Sequence, residues 1–174
     1  MLTFGMRVFG RDGFLGLLSG LVSDPRELRA RELLVTLGLF HLDEDTRALD
    51  ARTIASMDKD VLRIDLTQWE RSASFSYSQG NPVAIASPAV VLSPNTRVRA
   101  TDGNIGRLKG FDLDTDHQGI LKLLIGKGWL IERQHQIPAS WVEAFEPAQI
   151  RLNRSKSEIQ RRNTDAAIPL RSTG

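Results

Sequence analysis

Shifted against itself by 90 positions, the chain falls into register, and this internal repeat constrains its fold more than any other feature. RVFGRDGFLGLLSGLVSD (7–24) lies over RVRATDGNIGRLKGFDLD (97–114) with eight identical pairs, among them Arg7/Arg97, Asp12/Asp102, Gly13/Gly103, Gly20/Gly110 and Asp24/Asp114. The same offset pairs Leu33-Leu34 with Leu123-Leu124. After a slip to 88, LDARTIASM (49–57) meets IPASWVEAF (137–145), and VLRIDL (61–66) meets QIRLNR (149–154) with Arg63 over Arg151. Two homologous modules follow, at 1–70 and 96–160. A Ser/Pro/Ala-rich linker (71–95) joins them, and a basic flexible tail (161–174) ends the chain. Within the linker, VAIASPAVVL is read as packing at the edge of one module, because Pro88 is compatible only with an edge strand.

The repeat also settles the nature of GFLGLLSGLV (13–22), which resembles the apolar core of a signal peptide. Its counterpart is NIGRLKGFD, plainly part of a folded module, and Asp12 and three glycines interrupt the apolar run. No stretch approaches the roughly 18–20 apolar residues of a membrane-spanning helix.

Local patterns point to short strands. RVRAT (97–101) alternates around a β-branched centre and runs into Asp102-Gly103, a strong hairpin signal. IGRLKGFDL, ILKLLI (120–125), WLIER (129–133), IPASWVEAF and QIRLN (149–153) follow at turn-separated intervals, the pattern of a small barrel or sandwich. In the first module, DPRELRARELL (24–34) has helical capping signals, but its repeat mate reads as turn plus strand. At most one helical turn is therefore expected before Leu33. SKSEIQRR (155–162) is the helix candidate of the second module, with Ser155 and Glu158 in capping-box spacing.

The second module resembles the PRC-barrel family through Val98, Asp102-Gly103, Ile105-Gly106-Arg107-Leu108, Asp112-x-Asp114, Ile120–Ile125, Trp129–Arg133, Ile137-Pro138 and Ile150-Arg151-Leu152. The first keeps Asp12-Gly13, Leu15-Gly16-Leu17-Leu18 and Leu62-Arg63-Ile64, and has Leu49-Asp50 where the family has Ile-Pro. The resemblance implies a mainly all-β fold, one small antiparallel β-barrel per module with short helical segments. It also implies action by assembly on a membrane complex or a ribosomal protein rather than by catalysis.

DLDTDHQG (112–119) raises the question of a calcium loop. Counting from Asp112, the sixth residue is His117 and the twelfth Leu123, where such a loop needs glycine and a bidentate glutamate. The stretch is therefore read as an aspartate-rich turn. His41, His117 and His135 match no ligand spacing, and no nucleophile, phosphate-loop or dinucleotide motif occurs. No metal, cofactor or enzymatic activity is expected. The absence of cysteine excludes disulfides and thiolate chemistry and points to the cytoplasm.

Two partner surfaces stand out. In KGWLIERQHQ (127–136), Trp129, Ile131 and Arg133 share one strand face, and Trp and Arg are enriched where partners bind. The other surface is basic. Residues 1–92 hold 10 Lys+Arg against 12 Asp+Glu and residues 93–150 hold 7 against 7, whereas 151–174 hold 6 against 2. The excess includes Arg151, Arg154, Lys156, Arg161 and Arg162. The expected function is a noncatalytic adaptor binding a protein partner, with the modules packed as a pseudo-symmetric pair or paired across a homodimer. The alternatives are a ribosome- or RNA-associated factor using the basic stretch, and a small-molecule binder between the two modules.

Overall fold

The computed structural model describes residues 1–37, 46–67, 76–77, 89–127 and 133–165. They form two mixed β-sheets, one helix and two short 3-10 turns, so the chain is all-β in class. In the first half, β2 (Arg7–Gly10), β3 (Gly13–Asp24), β4 (Arg29–Leu37), β5 (Thr46–Asp50), β6 (Ile54–Asp58) and β7 (Val61–Ile64) pair in the order β6-β7-β2-β3-β4-β5. In the second, β10 (Arg97–Ala100), β11 (Gly103–Leu113), β12 (Ile120–Lys127), β13 (Arg133–Pro138), β14 (Val142–Glu146) and β15 (Gln149–Leu152) follow the order β13-β12-β11-β10-β15-β14. In both halves the central hairpin is antiparallel and its first strand runs parallel to the last, with Arg7 opposite Val61 and Arg97 opposite Gln149. Among the described residues each ladder is open-ended, so the barrels expected from the resemblance take the form of two sheets whose end strands do not pair.

Period-two burial explains why these segments are strands. Arg97–Ala100 alternates exposed and buried, and Val98, Leu62 and Ile150 are fully buried. Each hairpin turn ends on a glycine with positive φ, Gly13 at 135° and Gly103 at 132°, where a side chain would be strained. DPRELRARELL is turn plus strand, as the repeat predicts, with β4 starting at Arg29.

Three expectations are corrected. IPASWVEAF is not one strand. Pro138 has no N–H to continue the ladder, and the chain turns through a 3-10 segment (Ala139–Trp141) before β14. The stretch read as a linker is more than a connection: it contributes β8 (Ser76–Tyr77) to the edge of β5 and β9 (Val90–Leu92) to β3, the latter from the VAIASPAVVL segment expected to pack on a module. Finally, the helix α1 (Lys156–Asp165) runs beyond the limit set for the second module, so the first part of the basic tail is helical.

The two halves exchange strands. β1 (Leu2–Thr3) leaves the first half to pair with β11, placing Leu2 opposite Phe111. β9 makes the reciprocal pairing, with Leu92 opposite Leu21. These are the same pair under the repeat offset. Close by, Arg29 bridges Gly119, its own repeat mate. Ala30 N donates to Gln118 O (2.7 Å) and Ile120 N to Leu28 O (2.9 Å), again as repeat mates. A pseudo-two-fold axis therefore passes through the Arg29–Gly119 bridge. Leu2, Leu21, Leu92, Leu108 and Phe111 belong to one continuous core in which each is 0–1% exposed.

Candidate functional site

The proposed contact strand lies at the outer end of the second sheet. Arg133 opens β13 opposite Lys127 of β12, whereas Trp129 and Ile131 lie outside the described residues. Only the backbone position of Arg133 is therefore fixed. β5, the mate of β13, carries β8 on its outer side, and α1 approaches β13.

The basic stretch is built differently from a flexible tail. β15 delivers Arg151 between two glutamates of β14, with Nε 3.2 Å from Glu146 and Nη2 3.7 Å from Glu143. Exposed pairs of this kind contribute about 0–1 kcal/mol each. The chain then turns into α1 through a capping box. Ser155 N donates to Glu158 Oε2 (2.7 Å), and Glu158 N donates back to Ser155 Oγ (3.4 Å). The Ser155 N–H and hydroxyl, helped by Arg154 and Arg161, hold the Glu158 carboxyl below its ordinary range. Ile159, 3% exposed, anchors the helix in the core.

Two arginines converge on one indole. Arg154 stands 5.7 Å and Arg162 5.2 Å from the ring centroid of Trp141. Trp141 is held in its 3-10 turn, where its carbonyl accepts from Asn153 N (2.9 Å). The Lys156 N–H donates to Asp102 Oδ1 (2.9 Å), so the hairpin aspartate also caps the helix. Arg161 is exposed, its Nε 3.4 Å from the Ser157 carbonyl. Sequence reasoning names all five cations but misses Trp141 as the meeting point of Arg154 and Arg162, and Asp102 as a cap. The contacts join residues 13 to 54 positions apart in the chain, beyond the reach of any local pattern.

The aspartate-rich segment is a turn. Asp114 Oδ1 accepts from Gln118 N (3.0 Å), and His117 N donates to Asp114 O (3.1 Å) with His117 at a φ of 58°. Its mate Asp24 accepts from Arg26 N (2.8 Å) and Glu27 N (3.3 Å). Among the described residues, no three His, Asp or Glu side chains converge as a metal-ligand group.

One cleft of about 480 Å³ lies beside the Arg29–Gly119 bridge and is lined by charges of both signs. There the Arg52 hydrogen bonds hold Asp50 below the ordinary carboxyl range, with Nη2 2.5 Å from Oδ2, and the Arg29 guanidinium donates to Gln118 Oε1. This cleft satisfies much of its own charge. Another, about 770 Å³, lies in the seam between the halves. No helix among the described residues is long and apolar enough to cross a membrane. No family model matches the chain, and no curated protein matches it.

Proposed function

We propose that this chain is a noncatalytic adaptor that presents its two welded modules as one preorganised platform to a protein partner. The observation that carries the reading is the reciprocal exchange of β1 and β9. A surface fixed by shared core and shared ladders loses little conformational freedom when a partner docks, which favours affinity per unit area. Within the basic stretch, Arg151 is opposed by Glu143 and Glu146, which withdraws it from phosphate binding, whereas Arg154 and Arg162 pack on Trp141 and keep their charge.

The test is a pull-down of the full-length tagged protein from its own lysate, with and without nuclease, followed by binding measurements on the recovered partner. A nuclease-resistant partner whose affinity drops about tenfold on Trp129→Ala or Arg133→Ala fits the adaptor reading and its β13 contact. An unchanged affinity in both variants removes that strand as the contact.

A ribosome- or RNA-associated role is the second reading, favoured by the convergence of Arg154 and Arg162 on Trp141, with Arg161 exposed on the same helix as Arg162. Deleting 151–174 cannot test it, because β15 and the buried Ile159 belong to the fold. Arg161→Ala with Arg162→Ala is the suitable variant. Nuclease-sensitive recovery that falls steeply with salt and is weakened by this pair favours the RNA reading over the adaptor.

A further inference from the structure

The seam between the halves is open on one side. Met1, Phe4 and Leu124 line this cleft together with Met57 and the turn that carries Lys59 and Asp60. Its volume of about 770 Å³ falls within the range of small-ligand sites, roughly 300–1,000 Å³, which favour junctions between folding units. One part of the lining is apolar and fixed. Leu124 is 4% exposed, and Phe4 meets Phe111 edge-on with ring centroids 5.8 Å apart. The walls include two methionines, whose unbranched thioethers adapt to flat rings and make favourable sulfur–aromatic contacts. The rest of the lining is polar, with Thr3, Lys109 and the exposed Asp58, Lys59 and Asp60.

The repeat supplies an internal comparison. The mates of Phe4, Met57, Lys59 and Asp60 are Pro94, Phe145, Pro147 and Ala148. Phe145 is only 6% exposed, a core residue where the first half has a half-buried methionine. Phe4 N donates to Lys109 O (3.0 Å), a bond Pro94 cannot make at the equivalent place. The framework hydrogen bonds nearby are retained in both halves. Arg7 N donates to Asp60 O (3.1 Å), and Arg97 N to Ala148 O (2.9 Å). The two halves thus keep one backbone design and diverge in the side chains that line the cleft.

We propose that the seam is a binding site for a small aromatic molecule with one polar end. Its ring lies against Phe4, Met57 and Leu124, and its polar end meets the Lys59–Asp60 turn. The site stands independently of the adaptor reading and gives chemical content to ligand binding between the modules.

The chain has three methionines, Met1, Met6 and Met57, and Met6 is a built-in control because it is 3% exposed in the core. Full-length protein with methyl-labelled methionine is titrated with anilinonaphthalene sulfonate, an aromatic probe with one charged end, and followed by NMR. The expected result is a saturable shift of the Met57 and Met1 methyls with Met6 unmoved. Met57→Phe, which copies the residue of the other half, should bind the probe about tenfold more weakly. A Met57 methyl that stays unmoved at saturation overturns the proposal, as does a folded Met57→Phe variant that binds as tightly as the parent. The methyl shifts in the unsubstituted protein decide the matter even if the variant fails to fold.

Discussion

The α-carbon of Gly110 lies against the carbonyl oxygen of Leu2, so closely that a β-carbon built on Gly110 would stand 2.1 Å from that oxygen. This contact is where β1 joins the other half's sheet. The repeat mate is looser, for a β-carbon on Gly20 would stand 3.1 Å from Leu92 O and 3.0 Å from a Leu34 methyl. Gly110→Ala must push backbone from backbone, whereas Gly20→Ala asks a Leu34 methyl and the Leu92 carbonyl to give by only a few tenths of an ångström. The expected losses are about 3 kcal/mol for Gly110→Ala and about 1 kcal/mol for Gly20→Ala, read from chemical denaturation. Equal losses would show that the two crossings are equally tight.

The crossed strands make the halves one cooperative unit. Leu2 and Leu92 are both fully buried, so Leu2→Ala and Leu92→Ala should each cost about 2–5 kcal/mol. Each should also leave a single transition in which ellipticity and tryptophan fluorescence change together. Two separated transitions in the unsubstituted protein would mean that the halves fold independently.

Acid should loosen α1. The folded-state Glu158 carboxyl is held below its ordinary value by the Ser155 N–H and hydroxyl. Its contribution is therefore fully present above the ordinary glutamate range, about pH 4.3, and is lost as pH falls through the lower folded value. Glu158→Gln keeps an acceptor for the cap but does not titrate. Melting temperatures of the two proteins should converge as pH falls from 5 towards 3, by an amount small enough to suit an exposed group. A constant difference across that range would remove Glu158 from the acid response.

The Asp114 carboxylate is used by its own turn. Asp114→Ala should cost about 1 kcal/mol through the lost acceptor for Gln118 N. Calcium or a chelator at millimolar concentration should leave the melting temperature of the parent protein unchanged. A rise with calcium that disappears in Asp114→Ala would reopen the reading of DLDTDHQG as a metal loop.

What was legible in the sequence was what neighbouring residues decide. Asp102-Gly103 sets its hairpin by backbone conformation, Ser155 and Glu158 cap a helix one turn long in reach, and the alternation of Arg97–Ala100 chooses a buried face. The repeat carried this further, correctly favouring strand over helix after Asp24. The crossings were not legible. Leu2–Thr3 and Val90–Leu92 are too short to show a period, and their partners are fixed only by the shared core. The candidate site divides the same way. The cations were visible as a charge count, but the convergence of Arg154 and Arg162 on Trp141 depends on a turn that follows Pro138 and on where α1 docks. The seam cleft is a property of two surfaces meeting, which neither half encodes alone.

The crossing of β1 also bears on the order of events during synthesis. Leu2 emerges about a hundred residues before its partner Phe111. Until Val90–Leu92 emerges, Leu21–Ser23 on β3 has its outer edge waiting. A nascent first half is thus held unfinished, with strand edge and apolar surface uncovered, the condition in which chains are most prone to misassociation. Pairings this distant in the chain also slow folding once synthesis ends. Translation speed through the middle of the message therefore sets how long each newborn molecule stays vulnerable.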